Sequence, residues 1–476
     1  MKKIALWIAG LAACAVLANG AKAREQPDLR FGVMSDVHIG GKADAAETLE
    51  KVLRWFASEN VDAVLCSGDI AHSGLISELE GFAAVWHKVF PGGRAGDGRK
   101  VELMISTGNH DVDGWSGRWN KFSEEEMLAQ RFCYKDNPEK TWQRLFGQKW
   151  ETIWRREVKG YTFIGSQWLT LRPPIGAYMT EHASTIDPGK PFFYCQHAHP
   201  KGTCHGEYAS VDDNGYTPGV LSRFPNAVAI TGHSHCSVSD ERAVWQGAFT
   251  SIGAGCLHEG AGGFSYDNVV AFWHLKSRQN VMASMEDPGR WGGDGKGGSC
   301  GLVEVFKKRI VVHRRSVVFA RPIGPAWTVP VPARPNGPFD FSKRIVERQA
   351  KGAVPQFAPG AKIEAVYCPL GHRLSGEAYR GKPCVHVKFP RAKTVKGSRV
   401  FDYIVEACPE GGKIVTRKLI AAGFAYPEAD ADLPGECLFS VGELPIDGPV
   451  RFKVTPRDCF GLPGKPLVGK KVLLSR

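Results

Sequence analysis

From Leu29 onward the apolar positions fall into short runs separated by longer amphipathic stretches. "LRFGVMSD" (29–36) is a buried-looking strand. Ala46, Leu49, Leu53 and Phe56 then recur at helical spacing, and Val52 and Ala57 widen the stripe. "VDAVLCSGD" (61–69) predicts a second strand, Ser77 to Val89 a second helix, and "VELMISTGNHD" (101–111) a third strand after the Gly-rich turn "PGGRAGDG". Strand, helix, strand, helix, strand in that order lays the strands parallel with helices on the faces. "YTFIGSQ", "KPFFYCQH", "AVAITGHSH", "AFTSIGAG" and "NVVAFWHLK" are further candidate strands.

Two stretches break the pattern. Residues 112–160 are polar and carry Trp115, Trp119, Trp142, Trp150 and Trp154, which predicts an insertion with a small core of its own. Past about residue 320 prolines crowd in, as in "RPIGPAWTVPVPARPNGP", and residues 326–359 read as a linker. From 360 to 476 short runs such as "CVHVKF", "DYIVEA" and "VRFKVTP" alternate with Gly/Pro turns, the pattern of a β-sandwich-like domain. The expected division is a catalytic α/β domain over 24–325, the linker, and an all-β domain over 360–476.

Residues 1–23 read as an export signal: a basic "MKK", an apolar run from Ile4 to Ala18, and a small-x-small "AKA" before Arg24. "LAAC" (11–14) is an alternative lipobox that would anchor Cys14 to lipid, but the apolar run continues past that cysteine. Either processing predicts a periplasmic, cell-surface or secreted bacterial protein. Cleavage removes Lys2, Lys3 and Lys22 and lowers the formal net charge from +12 to +9. That balance suits acidic partners such as phosphate esters. "KKRIVVHRR" (307–315) is the densest basic stretch and alternates like a solvated strand face, so dedicated nucleic-acid binding is not expected. The twelve cysteines other than Cys14 show no CxxC or finger spacing, which argues against a structural zinc cluster and leaves disulfides open.

The chemistry sits where strands end. "SDVH" closes the first strand with Asp36 and His38, "SGD" the second with Asp69, and "TGNHD" the third with Asn109, His110 and Asp111. "CQHAH" and "TGHSH" close two later ones with His197, His233 and His235. Loops at the carboxyl ends of such strands converge, so five polar turns there form one candidate site. Two Asp, one Asn and several His make a nitrogen/oxygen donor set suited to a pair of Mn, Fe, Co or Zn ions. A shared carboxylate holds two such ions about 3.5–4 Å apart, with room for one hydroxide and one phosphate ester between them.

In order and form, "DVH", "GD", "GNHD", a lone strand-ending His and "GHSH" resemble the calcineurin-like metallophosphoesterase superfamily. The resemblance implies an αββα sandwich of two packed sheets flanked by helices, and a dinuclear-metal hydrolase of phosphate mono- or diesters. It assigns Asp36, His38 and His235 to one metal, Asp69 as bridge, and Asn109, His197 and His233 to the other. His110 becomes the phosphate contact that protonates the leaving oxygen, with Asp111 orienting its ring. His197 is preferred over His199 because it comes first off its strand. His72, where the purple acid phosphatases of the superfamily carry a tyrosine ligand, is expected on the site rim. His182, His205 and His258 lie in polar loops without a motif and are read as structural, and Cys236 as a packing or disulfide residue. A different class remains: a silent scaffold of this type acting as a binding protein through its β-domain. Substrate choice is expected from residues 112–160, with Trp115 and Arg118 as candidate contacts, and from the segment after His199.

Overall fold

The computed structural model describes residues 25–114, 119–168, 175–204, 212–257, 298–317, 319–371, 381–421, 424, 434–444 and 448–473. The expected export signal with Cys14, Trp115, Arg118, His205, His258 and the "NVVAFWHLK" candidate strand lie outside them.

The first sheet runs β12 (Arg321–Pro322), β11 (Arg309–Ser316), β10 (Ser299–Phe306), β1 (Leu29–Met34), β2 (Ala63–Cys66), β3 (Glu102–Ile105), with β13 (Trp327–Pro330) also on β11. β1, β2 and β3 are parallel, as the crossover pattern requires, and β10 lies antiparallel beside β1. The second sheet has the order β4 (Ile153–Val158), β5 (Tyr161–Ser166), β6 (Phe192–Cys195), β7 (Ala227–Thr231), β9 (Thr250–Gly253), β8 (Val244–Gln246).

Side-chain alternation decides how these sheets stack. Leu29, Phe31 and Val33 of β1 share a core with Phe163, Phe193, Val228 and Ile230 of the second sheet. Phe31 meets the Phe163 and Phe193 rings edge-on at 5.2 and 4.8 Å, a favoured aromatic geometry. On the opposite face, Met34, Val64 and Cys66 pack under the helices Ala45–Ser58 and Ile76–Val89 through Leu49, Leu53, Phe56, Leu79 and Phe82. Gly32 is needed there, since a Cβ would stand 2.5 Å from the Phe56 ring. Ile164, Phe192 and Ala229 of the second sheet pack likewise under the helices Ile175–His182 and Tyr216–Leu221. The layers are therefore helix, sheet, sheet, helix.

The chain then builds two antiparallel sheets, β14 (Glu364–Cys368), β15 (Cys384–Phe389), β18 (Gly435–Ser440) and β17 (Val415–Ile420), β16 (Asp402–Pro409), β19 (Pro449–Arg457), β20 (Leu467–Leu473). Val385, Val387, Tyr403, Val405, Phe439, Phe452 and Val454 fill one core between them, which makes a β-sandwich.

Two boundaries differ from expectation. The Pro-rich stretch 326–359 is not a bare linker: β13 buries Trp327 and Val329 in the inter-sheet core, and Phe341–Lys351 is a helix capped by Asp340. Proline is tolerated in β13 because an edge strand can do without one ladder N–H. The tryptophan-rich insertion also ends earlier than residue 160, because Ile153–Val158 is an edge strand of the second sheet with Trp154 in the inter-sheet core. Its exposed face carries Arg155 and Glu157, which hid the strand in a polar context.

Candidate metal centre

Every motif turn leaves the carboxyl end of a strand, and the two sheets bring those ends together. Asp36 and His38 follow β1, Asp69 follows β2, Asn109 and His110 open a single helical turn after β3, His197 follows β6, and His233 and His235 follow β7. Backbone ties splice the turns: Asp36 N donates to Gly68 O at 3.0 Å and His38 N to Asp69 O at 2.9 Å.

The carboxylates are each held by one oxygen and aimed with the other. Asp36 Oδ2 accepts from His233 N at 3.1 Å, and Asp69 Oδ1 accepts from His110 N at 2.9 Å. Asp36 Oδ1, Asp69 Oδ2, Asn109 Oδ1 and His197 Nε2 are buried with no well-formed hydrogen bond. Buried polar atoms are rarely left so, because each costs about 1–3 kcal/mol. His197 Nδ1 lies 2.7 Å from Ser67 O; a carbonyl only accepts, so Nδ1 donates there and Nε2 is the nitrogen turned to Asp69 Oδ2, 3.1 Å away. His235 Nε2 lies 3.0 Å from Asp36 Oδ1 and 3.2 Å from His38 Nε2.

These atoms form two groups, Asp36–His38–Asp69–His235 and Asp69–His197–His233, each with its donor atoms within 4.8 Å of one another and with Asp69 in both. The donor set fits two divalent ions sharing one carboxylate. Five of these residues, Asp36, His38, Asp69, His233 and His235, have φ between +49° and +67°. Non-glycine residues in that left-handed region are uncommon and strained, and they concentrate at functional sites. Close approach adds a second constraint: a Cβ on Gly232 would stand 1.8 Å from Ser35 Oγ and 2.7 Å from Asp36 Oδ2.

The electrostatics follow from burying carboxylates among imidazoles. Burial alone raises Asp36 and Asp69, but His235 beside the first and His197 beside the second hold both below the usual range. Burial lowers His197, yet Asp69 and Asp36 outweigh it and bring it to about 9. Cationic charge is what these two carboxylates attract.

Three neighbours of the site have other partners than expected or were not foreseen. Asp111 does not act through the His110 ring: its two oxygens accept from Ala71 N at 2.7 Å and Gly108 N at 2.8 Å, splicing the Asp69 and Asn109 turns. His110 is oriented instead by the His72 carbonyl, 2.7 Å from Nδ1. The reason is geometric: the turn Asn109–Val112 points the Asp111 side chain back at its own N-cap. Burial, with Asp69 nearby, pushes Asp111 up to about 8. Trp168, outside every motif, packs against the His197 and His233 rings at 5.7 and 5.4 Å and donates from Nε1 to Asp113. Asp212 Oδ2 lies 3.3 Å from His233 Nε2.

The remaining histidines separate by contact. His199 is buried between the Thr231 and Ser234 hydroxyls at 2.6 and 2.8 Å, and burial lowers it to about 3. His72 Nδ1 lies 3.4 Å from His38 Nδ1, and with His38 and His110 it forms a further histidine group. His182 ends a surface helix against Tyr178. Cys236 is buried in the core of the C-terminal sandwich.

Fold and cluster define an α/β sandwich with a candidate metal centre at its strand ends. Residues 29–237, under half of the chain, match the calcineurin-like phosphoesterase family, and this match supports a phosphoester hydrolase. No curated protein sequence matches the chain. Among solved structures, a dimetal phosphatase from Danio rerio is similar at 10% identity, covering 64% of this chain and 99% of that one, with a TM-score of 0.38. A purple acid phosphatase from yellow lupin matches at 12% identity over 63% of this chain and 53% of its own, with a TM-score of 0.35. GAP50, the anchor in the inner membrane complex of Plasmodium, does so at 13% identity over 63% and 88%, with a TM-score of 0.34.

Proposed function

We propose that the protein is an exported phosphoesterase that works with two divalent metals on phosphate mono- or diesters. The observation that carries this is Asp69, which belongs to both donor groups: its Oδ1 is tied to His110 N while its Oδ2 lies 3.7 Å from His38 Nε2 and 3.1 Å from His197 Nε2. Asp36, His38 and His235 would hold one ion with Asp69. Asn109, His197 and His233 would hold the other. The bound metals supply Lewis-acid activation of water and neutralise charge on the phosphoryl oxygens.

The chain's own residues do the rest. With Nδ1–H donated to the His72 carbonyl, His110 can hand a proton to the departing alkoxide only from Nε2, acting as the imidazolium and ending as the neutral Nδ1–H tautomer. Asp111 acts on that step only indirectly, by fixing the backbone from which Asn109 and His110 project. Trp168 covers the His197–His233 side and limits water there. Action outside the cytoplasm is supported by the basic, apolar and small-x-small succession of residues 1–23.

The test is hydrolysis of p-nitrophenyl phosphate and bis-p-nitrophenyl phosphate by metal-reconstituted protein. Activity on at least one, lost on chelation and restored by Mn²⁺ or Zn²⁺, is expected. A fully metallated protein that cleaves neither contradicts the proposal. N-terminal sequencing of the processed protein, with Arg24 expected first, tests export.

A further inference from the structure

The turn that carries His233 and His235 is held partly from outside the catalytic layers. Both residues have left-handed φ, +67° and +52°, so this backbone needs restraint to keep two ligands aimed. Immediately after them Cys236 inserts into the core of the C-terminal sandwich while Val238 inserts into the inter-sheet core. Between those anchors the carbonyls of the segment are taken up by arginines from three separate parts of the chain. Arg314 of β11 donates to Val238 O at 2.9 Å, and Arg399, from the connection between β15 and β16, donates to Ser239 O at 3.1 Å. Arg344, from the helix Phe341–Lys351, donates to Glu241 O at 3.0 Å.

Side chains complete the clasp. Arg344 and Arg348 both pair with the Glu241 carboxylate, and Arg348 reaches on to Asp458 in the sandwich at 2.7 Å. Ser239 Oγ donates to Phe424 O at 3.0 Å, the carbonyl that Arg399 also engages, and Arg242 lies over the Phe401 ring at 4.5 Å. Hydrogen bonds from charged donors are the strong ones, and a planar guanidinium loses little freedom in making several.

We propose that the C-terminal sandwich, with the helix that precedes it, is a brace that keeps the His233–His235 turn in its metal-ligating shape, and that Arg399 is a positioning residue for that turn. The sandwich then contributes to the affinity of the centre for metal as well as adding bulk to the molecule. The proposal rests on the metal reading above. Partners that orient ligands set metal affinity, and losing one typically costs about 10–100-fold.

The test is titration of Mn²⁺ into metal-free full-length protein, followed by the electron paramagnetic resonance of free Mn²⁺. Arg399→Ala is expected to weaken one of the two binding events by about tenfold and leave the other unchanged. Arg399→Lys, which keeps one donor, is expected to recover part of the loss, and it carries the test if the alanine variant does not fold. Arg417→Ala is the control: Arg417 bonds Leu438 O and Glu443 within the sandwich, so it should lower the unfolding temperature without moving Mn²⁺ affinity. Unchanged affinity in the Arg399 variants, or an equal loss in Arg417→Ala, overturns the brace. Wild-type protein that takes up no metal overturns the metal reading as well, whereas the first two outcomes leave that reading intact.

Discussion

The catalytic end and the C-terminal sandwich satisfy their buried polar groups in opposite ways. In the sandwich, Asp402 is fully buried but takes Arg457 through both of its oxygens, and Arg417 meets Glu443 and Leu438 O. At the catalytic end Asp36, Asp69, Asn109 and His197 each keep a buried atom without a good partner, on turns where five residues are left-handed. Among the described residues, the sandwich strands contain neither feature. Unmet bonding and strain are concentrated where a ligand would compensate for them, and the sandwich, with no such duty, is built for packing.

The sharpest way to break this contrast is at the shared carboxylate. Asp69→Asn keeps the oxygen that accepts from His110 N but removes charge from both donor groups, and should lower kcat/KM by about 10⁴-fold, or ~5 kcal/mol. Steady-state kinetics with either aryl phosphate measures it. Next is His110→Ala, expected to lower kcat by about 10²–10⁴-fold at full metal content, with the smallest loss for a substrate whose leaving group needs no proton. Comparing p-nitrophenyl with a simple alkyl phosphate reads that difference.

A change in the sandwich should behave differently. Phe452, 1% exposed in its core, should cost about 3–5 kcal/mol of stability on truncation to Ala, seen in urea unfolding, with little change in kcat of the folded fraction. Smaller again is the effect of Asp69→Asn on metal-free protein. It takes from His197 the carboxylate that holds its charge and should destabilise the fold by about 1–3 kcal/mol at neutral pH, seen in urea unfolding. A more stable metal-free variant would show that repulsion between the buried carboxylates outweighs their pairing with imidazoles. The smallest effect belongs to Lys51, whose pair with Glu47 is more than half exposed on both sides: Lys51→Ala should shift unfolding by less than about 0.5 kcal/mol.

Much of the site was legible because its residues obey local rules. Asp36, Asp69 and Asn109 each end an apolar run, and parallel crossovers put such ends on one edge. What was missed acts between distant segments. Trp168 closes over His197 and His233 from a turn with no motif, and the His72 carbonyl that orients His110 is a backbone atom, which no side-chain pattern announces. Asp111 stood in the motif, but which N–H groups its carboxylate reaches depends on how the Asp69 turn folds against it. β13 and β4 were hidden by prolines and charges that only an edge position permits.

The order of strands and helices, the layer class, the identity of the side chains gathered at the candidate metal centre and the presence of a second, β-rich unit were set by the sequence alone. Periodicity and strand-end chemistry are properties of neighbouring residues. Tertiary structure alone decided which oxygen of each carboxylate is tied and which is aimed, which group orients His110, and that the Pro-rich stretch joins the catalytic sheet. It also decided that arginines from β11, the helix Phe341–Lys351 and the sandwich close on the loop behind His235. Those outcomes depend on donors and acceptors far apart in the chain, and their geometry exists only once both sheets and the sandwich have packed.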